Sequence, residues 1–347
     1  MASLRRWSVL ALLLLTIDNT SAQHSDREEV FTLVELNCEN LFDCRHDALK
    51  DDYEFLPESA RHWTYKRYWR HLNRTAQTIL ACAGNNSLPD LVALTEVEND
   101  SVLIDLTRRS LLRNAHYEYV MTDAPDQRGI DVALLYSPFR FRLLHSDTLR
   151  ITPPPDMRPT RDILHVEGRI SSGDTLHVFV VHAPSRSQGE RATRPYRRLV
   201  ADRLLSAVDT VRQRQPQAKI IVTGDFNDYA GEENLQRYAE GGLTDVSANA
   251  TGTHGAHGTY RYQGRWGSLD HILLSPSLTT HSYNCYIFDA PFLLTKDKKY
   301  GGVQPRRNYL GPRFLNGFSD HLPLVLELWG TKPSPKNKIE KARKETR

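Results

Sequence analysis

Cysteine is scarce: the 347-residue chain has four, Cys38, Cys44, Cys82 and Cys285, and none forms a C-x-x-C pair. That spacing argues against a structural zinc site. Four cysteines allow three disulfide pairings, and Cys38 reads as a small buried residue in an apolar strand. Long apolar runs are also missing beyond one at the N-terminus, and mean hydropathy is −0.52, which excludes a multispanning membrane protein. Glycine (19) and proline (18) are too few for a collagen-like or linker-dominated chain. No strong charge of one sign is present. The net +3 divides into +1 over residues 1–22, −3 over 23–330 and +5 over 331–347. The basic total is a property of the tail, so it does not indicate a nucleic-acid surface. What remains is 39% apolar and 25% charged, an ordinary globular composition with ample chain for a full core.

Two arginines, Arg5 and Arg6, precede the apolar Val9–Leu15, and small polar residues follow to Ala22. That is a secretory signal pattern, too short to span a bilayer. Three segments are therefore expected: a signal peptide over 1–22, one catalytic domain over 23–330, and a Lys-rich disordered tail over 331–347. The mature protein is expected to be secreted or periplasmic, without stable membrane insertion, and monomeric.

Strand-like runs fall at 30–36, 91–94, 132–136, 164–170, 176–181, 220–222, 272–274 and 324–328. Apolar spacing predicts helices over 63–83, with Thr64 as N-cap, over 102–113, and from Pro195 onward. There is no internal repeat. Alternating strands and helices of this kind predict a single α/β domain with two layers of strands flanked by helices.

Polar residues recur at the ends of the strand runs, where α/β proteins build their sites. Asn37 and Glu39 follow VFTLVEL, Glu96 follows LVALT, His182 follows LHVFVV, and Asp225 and Asn227 follow IIVTG. Asp270 precedes HILLS, and Asp320 and His321 precede LPLVLEL. One such carboxylate is usually a cap or turn residue; so many in equivalent positions point to one site. Asn37, Glu39, Glu96 and Asp320 supply the oxygen ligands that a hard divalent cation prefers. No His-rich ligand set is present, which disfavours zinc.

These residues sit in the motifs ELNCENLFD (35–43), PDLVALTEVEND (89–100), RGIDVALLY (128–136), VVHAPS (180–185), TGDFND (223–228), GSLDHILLS (267–275) and SDHLPL (319–324). In this order, and spanning nearly all of 30–328, they resemble the endonuclease/exonuclease/phosphatase superfamily of DNase I-like metal-dependent phosphoesterases, in its bacterial secreted branch. The resemblance implies a four-layer α/β sandwich, two packed β-sheets flanked by helices, with the site at one end. It implies Mg²⁺, with Mn²⁺ or Ca²⁺ as alternatives, held by Glu96 with Asn37, Glu39 and Asp320. It implies that Asp225 orients or deprotonates the attacking water and that Asn227 holds a phosphate oxygen or that water. His321 and Asp270 form a His–carboxylate pair, and His182 stands near the leaving group as proton donor, with Asp131 as its suggested partner. Arg128 offers a donor fork to a phosphate.

Substrate class stays open, because superfamily members cleave DNA, RNA, inositol phosphates, sphingomyelin and other esters. Lys66, Arg70 and Arg74 make a basic line on the first helix, and Arg186, Arg191, Arg194, Arg197 and Arg198 follow the VVHAPS strand. Either group could meet a phosphate backbone. A secreted nuclease acting on DNA or RNA is the leading expectation. The alternatives are a phosphoesterase for lipid, inositol or other small phosphate esters, and a catalytically silent binding protein. His254 and His257 read as a flexible loop beside the site, and the motif-free 44–63 segment as a shaper of access.

Overall fold

The computed structural model describes residues 30–330 apart from 84–86, 156 and 188. The signal segment and the tail expected above lie outside the described residues. Twelve strands build two six-stranded sheets. In chain order they are β1 (Val30–Leu41), β2 (Leu91–Val97), β3 (Glu118–Met121), β4 (Asp131–Tyr136), β5 (Phe141–Leu149), β6 (Ile163–Ile170), β7 (Thr175–His182), β8 (Lys219–Asp225), β9 (Thr244–Asp245), β10 (Asp270–Leu274), β11 (Tyr283–Ile287) and β12 (Leu324–Trp329). The first sheet runs β11-β12-β1-β2-β4-β3 and the second β5-β6-β7-β8-β10-β9. Both are mixed: β1–β2 and β7–β8 are parallel, and the pairs flanking them are antiparallel.

Strand alternation explains the layering. On β1, Phe31 and Leu33 face the slab between the sheets, where they meet Leu134, Val178, Ile221, Ile272 and Leu326. The intervening Val34 and Leu36 face outward onto helix α1 (Tyr65–Ala81), through its Tyr68, Leu72, Ala76 and Ile79. A short helix α2 (Asp100–Ile104) adds to that layer. On the far side, helix α3 (Glu190–Arg214) lays Val200, Leu204 and Val208 over Phe179, Ile220 and Val222 of the second sheet. Helix α4 (Glu233–Glu240) follows it with Leu235 and Tyr238. Helix, sheet, sheet and helix make the four-layer α/β sandwich. Full burial of a side chain such as Leu72 or Ile79 contributes about 1.5–3 kcal/mol.

Some elements differ from expectation for local reasons. The helix expected over 102–113 is α2 followed by a wider turn over Asp105–Arg109 and a tight one over Leu111–Asn114. Helix α3 starts at Glu190, so Pro195 lies inside it and costs one intrahelical hydrogen bond rather than opening the helix. Edge strands β5 and β11 carry exposed residues, and β3 is four half-buried residues long, so none shows the apolar run that marks a strand. All four cysteines are free thiols, and Cys38 is buried as expected. No helix among the described residues is long and apolar enough to cross a membrane.

A buried ion pair pins the edge of the second sheet. His271 on β10 is fully buried; its Nδ1 lies 2.8 Å from Asp245 Oδ2, and its Nε2 2.9 Å from the Asp228 carbonyl oxygen. Burial alone would depress His271, but the Asp245 carboxylate lifts it above its ordinary value. Burial opposes the charge on Asp245 as well, and the hydrogen bond from His271 brings it below the usual carboxylate range. The carboxylate contributes stability above the unfolded Asp value of about 3.9, and the imidazolium below the unfolded His value of about 6.5. Stabilisation is therefore full between those values and is lost as pH rises through the elevated His271 value. Asp245→Asn is expected to lower unfolding free energy by about 3 kcal/mol at about pH 5.5, with the gap narrowing at alkaline pH. Denaturant melts across pH check this; a gap independent of pH would refute the charged pair.

Candidate active site

The inter-sheet slab is apolar through most of its depth and turns polar at one end. There β1 carries Asn37, β7 ends on His182, β8 ends on Asp225, β10 begins with Asp270, and His321 precedes β12. Parallel β7 and β8 place His182 directly beside Asp225, and antiparallel β8 and β10 place Asp225 opposite Asp270. Thus the register alone gathers three of the expected residues.

Backbone geometry at these strand ends is unusual. Glu39 (φ +50°), Asn40 (+61°), Glu96 (+61°) and Asn227 (+51°) all occupy the left-handed region. Such positions each cost about 1 kcal/mol or more for a side-chain-bearing residue and cluster at functional sites. Gly224 is needed for a separate reason. Its φ is +136°, and a Cβ there would lie 1.9 Å from the Val181 carbonyl oxygen. The glycine of TGDFND lets β8 approach β7 closely enough to set Asp225 beside His182.

Asp225 is clamped from both sheets. Its Oδ2 accepts from Asn37 Nδ2 at 3.1 Å, and its Oδ1 accepts from the Asn227 backbone N–H at 2.9 Å. Burial and the neighbouring Asp270 charge raise it to about 7, against the opposing pull of His321. His321 Nδ1 lies 2.7 Å from Asp270 Oδ2, which also accepts from Thr259 Oγ1. Burial would depress His321, but Asp270, Asp225 and Asp320 hold it well above its ordinary value. Ser319 fixes the approach of that loop: its hydroxyl donates to the Asn37 carbonyl at 2.7 Å and accepts the His321 N–H at 3.1 Å.

His182 behaves oppositely. Burial, then the charges of Arg161 and Arg128, push it well below its ordinary value. Its Nε2 stands 3.8 Å from Asp225 Oδ2 and 3.9 Å from Glu96 Oε1, and its Nδ1 has no partner among the described residues. Asp131 does not orient it: that carboxylate accepts from Thr122 Oγ1 and from the Ala124 N–H at 3.0 Å.

The expected metal ligands are joined by a turn and by an arginine. Asn37 Oδ1 accepts the Glu39 N–H at 2.9 Å, and Glu96 Oε2 accepts the Asn40 N–H at 2.9 Å. Both Glu39 oxygens accept backbone N–H groups, of Asn308 at 2.6 Å and Tyr309 at 2.8 Å, so this carboxylate organises the 306–316 loop. Arg307 donates to Asp320 Oδ2 at 2.7 Å and lies 3.9 Å from Glu39. A cation bridging two carboxylates is thus already part of the site's electrostatics. One ligand atom each from Asp225, Asp270 and His321 lie within 4.8 Å of one another, close enough to hold a metal ion. Asp270 Oδ1 is buried without a partner among the described residues. That cluster contains none of the expected carboxylate ligands Glu39, Glu96 and Asp320, and Glu39 is not free to ligate because both its oxygens are taken by backbone N–H groups. Glu96, partly open at 17% exposure, offers the oxygen donor that a hard divalent cation prefers.

Sequence reading missed several residues here. Glu35, two residues before Asn37, is fully buried beneath the site with neither carboxyl oxygen partnered among the described residues. Burial, then Asp270 and Asp225, push it well above the carboxylate range. Its polar identity in an apolar run was the available signal. Arg307 and Ser319 carried none. Of the basic residues singled out in the sequence, Arg197 is buried, Arg74 and Arg186 are half-buried, and Lys66, Arg70, Arg191, Arg194 and Arg198 are exposed. Arg70 and Arg74 tie the 316–318 loop, Arg186 pairs with Glu232, Arg194 with Glu190, and buried Arg197 with Asp228. The 44–63 segment docks Phe55 on Phe42 at 3.9 Å between ring centroids, and Trp63 Nε1 donates to the Phe42 carbonyl oxygen at 3.0 Å. The His254 loop is capped by Asp289, which accepts the N–H groups of Thr253, His254 and Ala256.

The chain is similar in fold to several solved structures. One is an endonuclease/exonuclease/phosphatase family protein of Bacteroides thetaiotaomicron, at 17% identity, TM-score 0.57, covering 88% of this chain and 100% of that one. A second is the human Nocturnin catalytic domain with bound sulfate, at 21% identity, TM-score 0.55, covering 87% and 95%. A third is a mannosyl-6-phosphatase of Bacteroides thetaiotaomicron, at 18% identity, TM-score 0.56, covering 86% and 100%. No curated protein sequence matches the chain. The sequence profile of the endonuclease/exonuclease/phosphatase family matches residues 32–329, the whole of the two-sheet sandwich and its polar end, and the chain belongs to that family.

Proposed function

We propose that this phosphoesterase is an exported, divalent-metal-dependent phosphodiesterase, and that its substrate is a nucleic acid. The observation carrying the reaction type is Asp225, held between Asn37 and Asn227 beside the His321–Asp270 pair. Export rests on the signal pattern of residues 1–22. A Mg²⁺ or Mn²⁺ ion would be held by Glu96 with Asn37 and Asp320, and supplies Lewis-acid stabilisation of charge on the phosphoryl oxygens when bound. Glu39 supports that set from behind by fixing the 308–309 turn.

The protein's own groups divide the proton work. Asp225, raised to about 7, is poised as a general base near neutral pH and orients the attacking water. Asn227 donates its amide to the Ala183 carbonyl at 3.0 Å, which fixes the side chain next to Asp225, where it would meet a phosphate oxygen or the attacking water. His321 stays cationic because Asp270 holds Nδ1, leaving Nε2–H as a charged donor to the developing phosphorane charge. His182 stays neutral and contributes a hydrogen bond rather than a cation. Two imidazoles driven apart in this way mark distinct roles.

A second reading, a small phosphate ester as substrate, is favoured by one observation. Arg74 on α1 and Arg186, Arg194 and Arg197 after β7 are each tied to a carboxylate or a carbonyl, which shortens the basic track open to a polymer.

Asp225→Ala is expected to abolish hydrolysis of plasmid DNA, RNA and an aryl phosphodiester, each of which should also stop with excess chelator. Activity that survives chelation would refute the metal-dependent reading. The pH profile of kcat/KM is a second check. The rate should rise through about pH 7 as Asp225 loses its proton, and fall at alkaline pH as His321 loses its own. Asp270→Asn removes the charge that holds the His321 proton, so the alkaline fall should move to lower pH, with a loss of about 10²-fold or more in kcat. An unmoved alkaline limb would remove the His321–Asp270 pair from the mechanism.

A further inference from the structure

Beyond His182 the chain leaves β7 through Ala183, Pro184 and Ser185, and together with segments 126–128 and 158–161 it walls a cavity of about 160 Å³. Three guanidinium groups line it, those of Arg128, Arg158 and Arg161, with the hydroxyl-bearing Thr160, Ser185 and Tyr196. Asp126 is the one carboxylate among the described lining residues. It is already engaged, receiving Arg161 Nη1 at 3.3 Å and the Arg128 N–H at 3.0 Å. The wall therefore carries a surplus of positive charge.

Two of its lining residues are buried, and each carries a polar atom unpartnered among the described residues. Arg161 is only 8% exposed and Thr160 4%, yet Arg161 Nε and Thr160 Oγ1 have no hydrogen-bond partner among the described residues. Buried polar atoms are nearly always paired, and one that is not calls for an explanation. The cavity also adjoins the reacting centre. Arg161 Nη2 donates to the Ala183 carbonyl at 2.9 Å, and the same oxygen accepts from Asn227 Nδ2 at 3.0 Å. One peptide group thus positions both a cavity arginine and the asparagine beside Asp225. Arg128 reaches the site from the other side by donating to Asn40 Oδ1, next to Glu39.

We propose that this cavity is an anion subsite that takes a second phosphate group of the substrate, adjacent to the phosphate under attack. The word substrate rests on the phosphoesterase reading above, which the subsite deepens. Guanidinium forks match phosphate oxygens in geometry and charge, and the hydroxyls add further donors. The volume lies below the roughly 300–1,000 Å³ of pockets that enclose drug-sized ligands. The cavity's size suits a charged group such as a phosphate. The shared chemistry is a phosphomonoester or a neighbouring diester, carried either by a nucleic-acid strand or by a small bisphosphate.

Arg158 is the residue to test, because it is exposed at the rim and its removal leaves Arg161, Asp126 and Ala183 joined. Binding of inorganic phosphate to the full chain is measured calorimetrically with excess chelator, where no hydrolysis occurs. Saturable binding is expected, weakened about tenfold or more in Arg158→Ala and partly restored in Arg158→Lys. No saturable binding, or equal binding by the alanine variant, overturns the subsite. With Mg²⁺, kcat/KM is then compared for a dinucleoside monophosphate, the same compound bearing a 5′-phosphate, a sugar monophosphate and its bisphosphate. The second phosphate should raise kcat/KM about tenfold, and Arg158→Ala should erase that gain. A gain on the nucleotide pair assigns the second phosphate to a nucleic acid, and a gain on the sugar pair to a small ester. Turnover with no gain on either pair overturns the subsite and leaves the hydrolase standing. Phosphate binding that depends on Arg158, with no turnover of any substrate, overturns the hydrolase reading and leaves the subsite.

Discussion

Two hydrogen-bonded contacts cross from one sheet to the other at the end of the apolar slab, and the site depends on both. Asn37 of the first sheet donates to Asp225 of the second. His321, at the entry to the first sheet, holds Asp270 of the second. Apolar packing alone lets two sheets slide by small amounts at little cost, because the hydrophobic effect is not directional. Hydrogen bonds to buried charges are directional, and breaking one leaves an uncompensated group in a dry interior. These two contacts therefore fix the register of the sheets where it matters. Ser319 braces both contacts from the side of the first sheet by joining the His321 loop to the Asn37 carbonyl.

The same closeness sets the protonation pattern. Asp225, Asp270 and Glu35 crowd one another in a buried layer, and three full negative charges there would repel strongly. The layer resolves this by holding Glu35 neutral, raising Asp225 and keeping a proton on His321. His182 sits a few ångströms away, on the arginine side, and is driven to the neutral form. The two imidazoles differ because Asp270 lies within hydrogen-bond distance of His321, whereas His182 is buried with no carboxylate among the described residues closer than 3.8 Å and with the charges of Arg161 and Arg128 acting on it. Burial alone would depress both, so it accounts for the direction of His182 and not for that of His321.

The polar stations were legible because each interrupts or ends an apolar run, and strand register then brings them together without further information. His182 beside Asp225 and Asp225 opposite Asp270 are consequences of β7, β8 and β10 pairing. The left-handed turn at Glu39 and Asn40 was not legible. It turns both Glu39 oxygens onto the N–H groups of Asn308 and Tyr309, some 270 residues away in the chain. Loop partners of that kind have no periodicity to reveal them. Arginines were the hardest to place. Arg70, Arg74, Arg186 and Arg197 form conspicuous basic groups in sequence, yet each is turned to a carboxylate or carbonyl of a neighbouring loop. Arg128, Arg158 and Arg161 are scattered in sequence and converge in space.

That exchange bears on substrate choice. A polymer is held by charges spaced along a track, and its affinity grows with the number of phosphates neutralised. Here Arg74, Arg186, Arg194 and Arg197 are tied into the scaffold, and the body of the chain is net acidic. Positive charge is instead concentrated in one small cavity that shares the Ala183 carbonyl with the reacting centre. Recognition built this way reads the immediate neighbourhood of the scissile phosphate rather than a long stretch of strand. In the proposed subsite a contact close to the chemistry would set selectivity, because binding energy there can act on the transition state and not only on capture of the substrate.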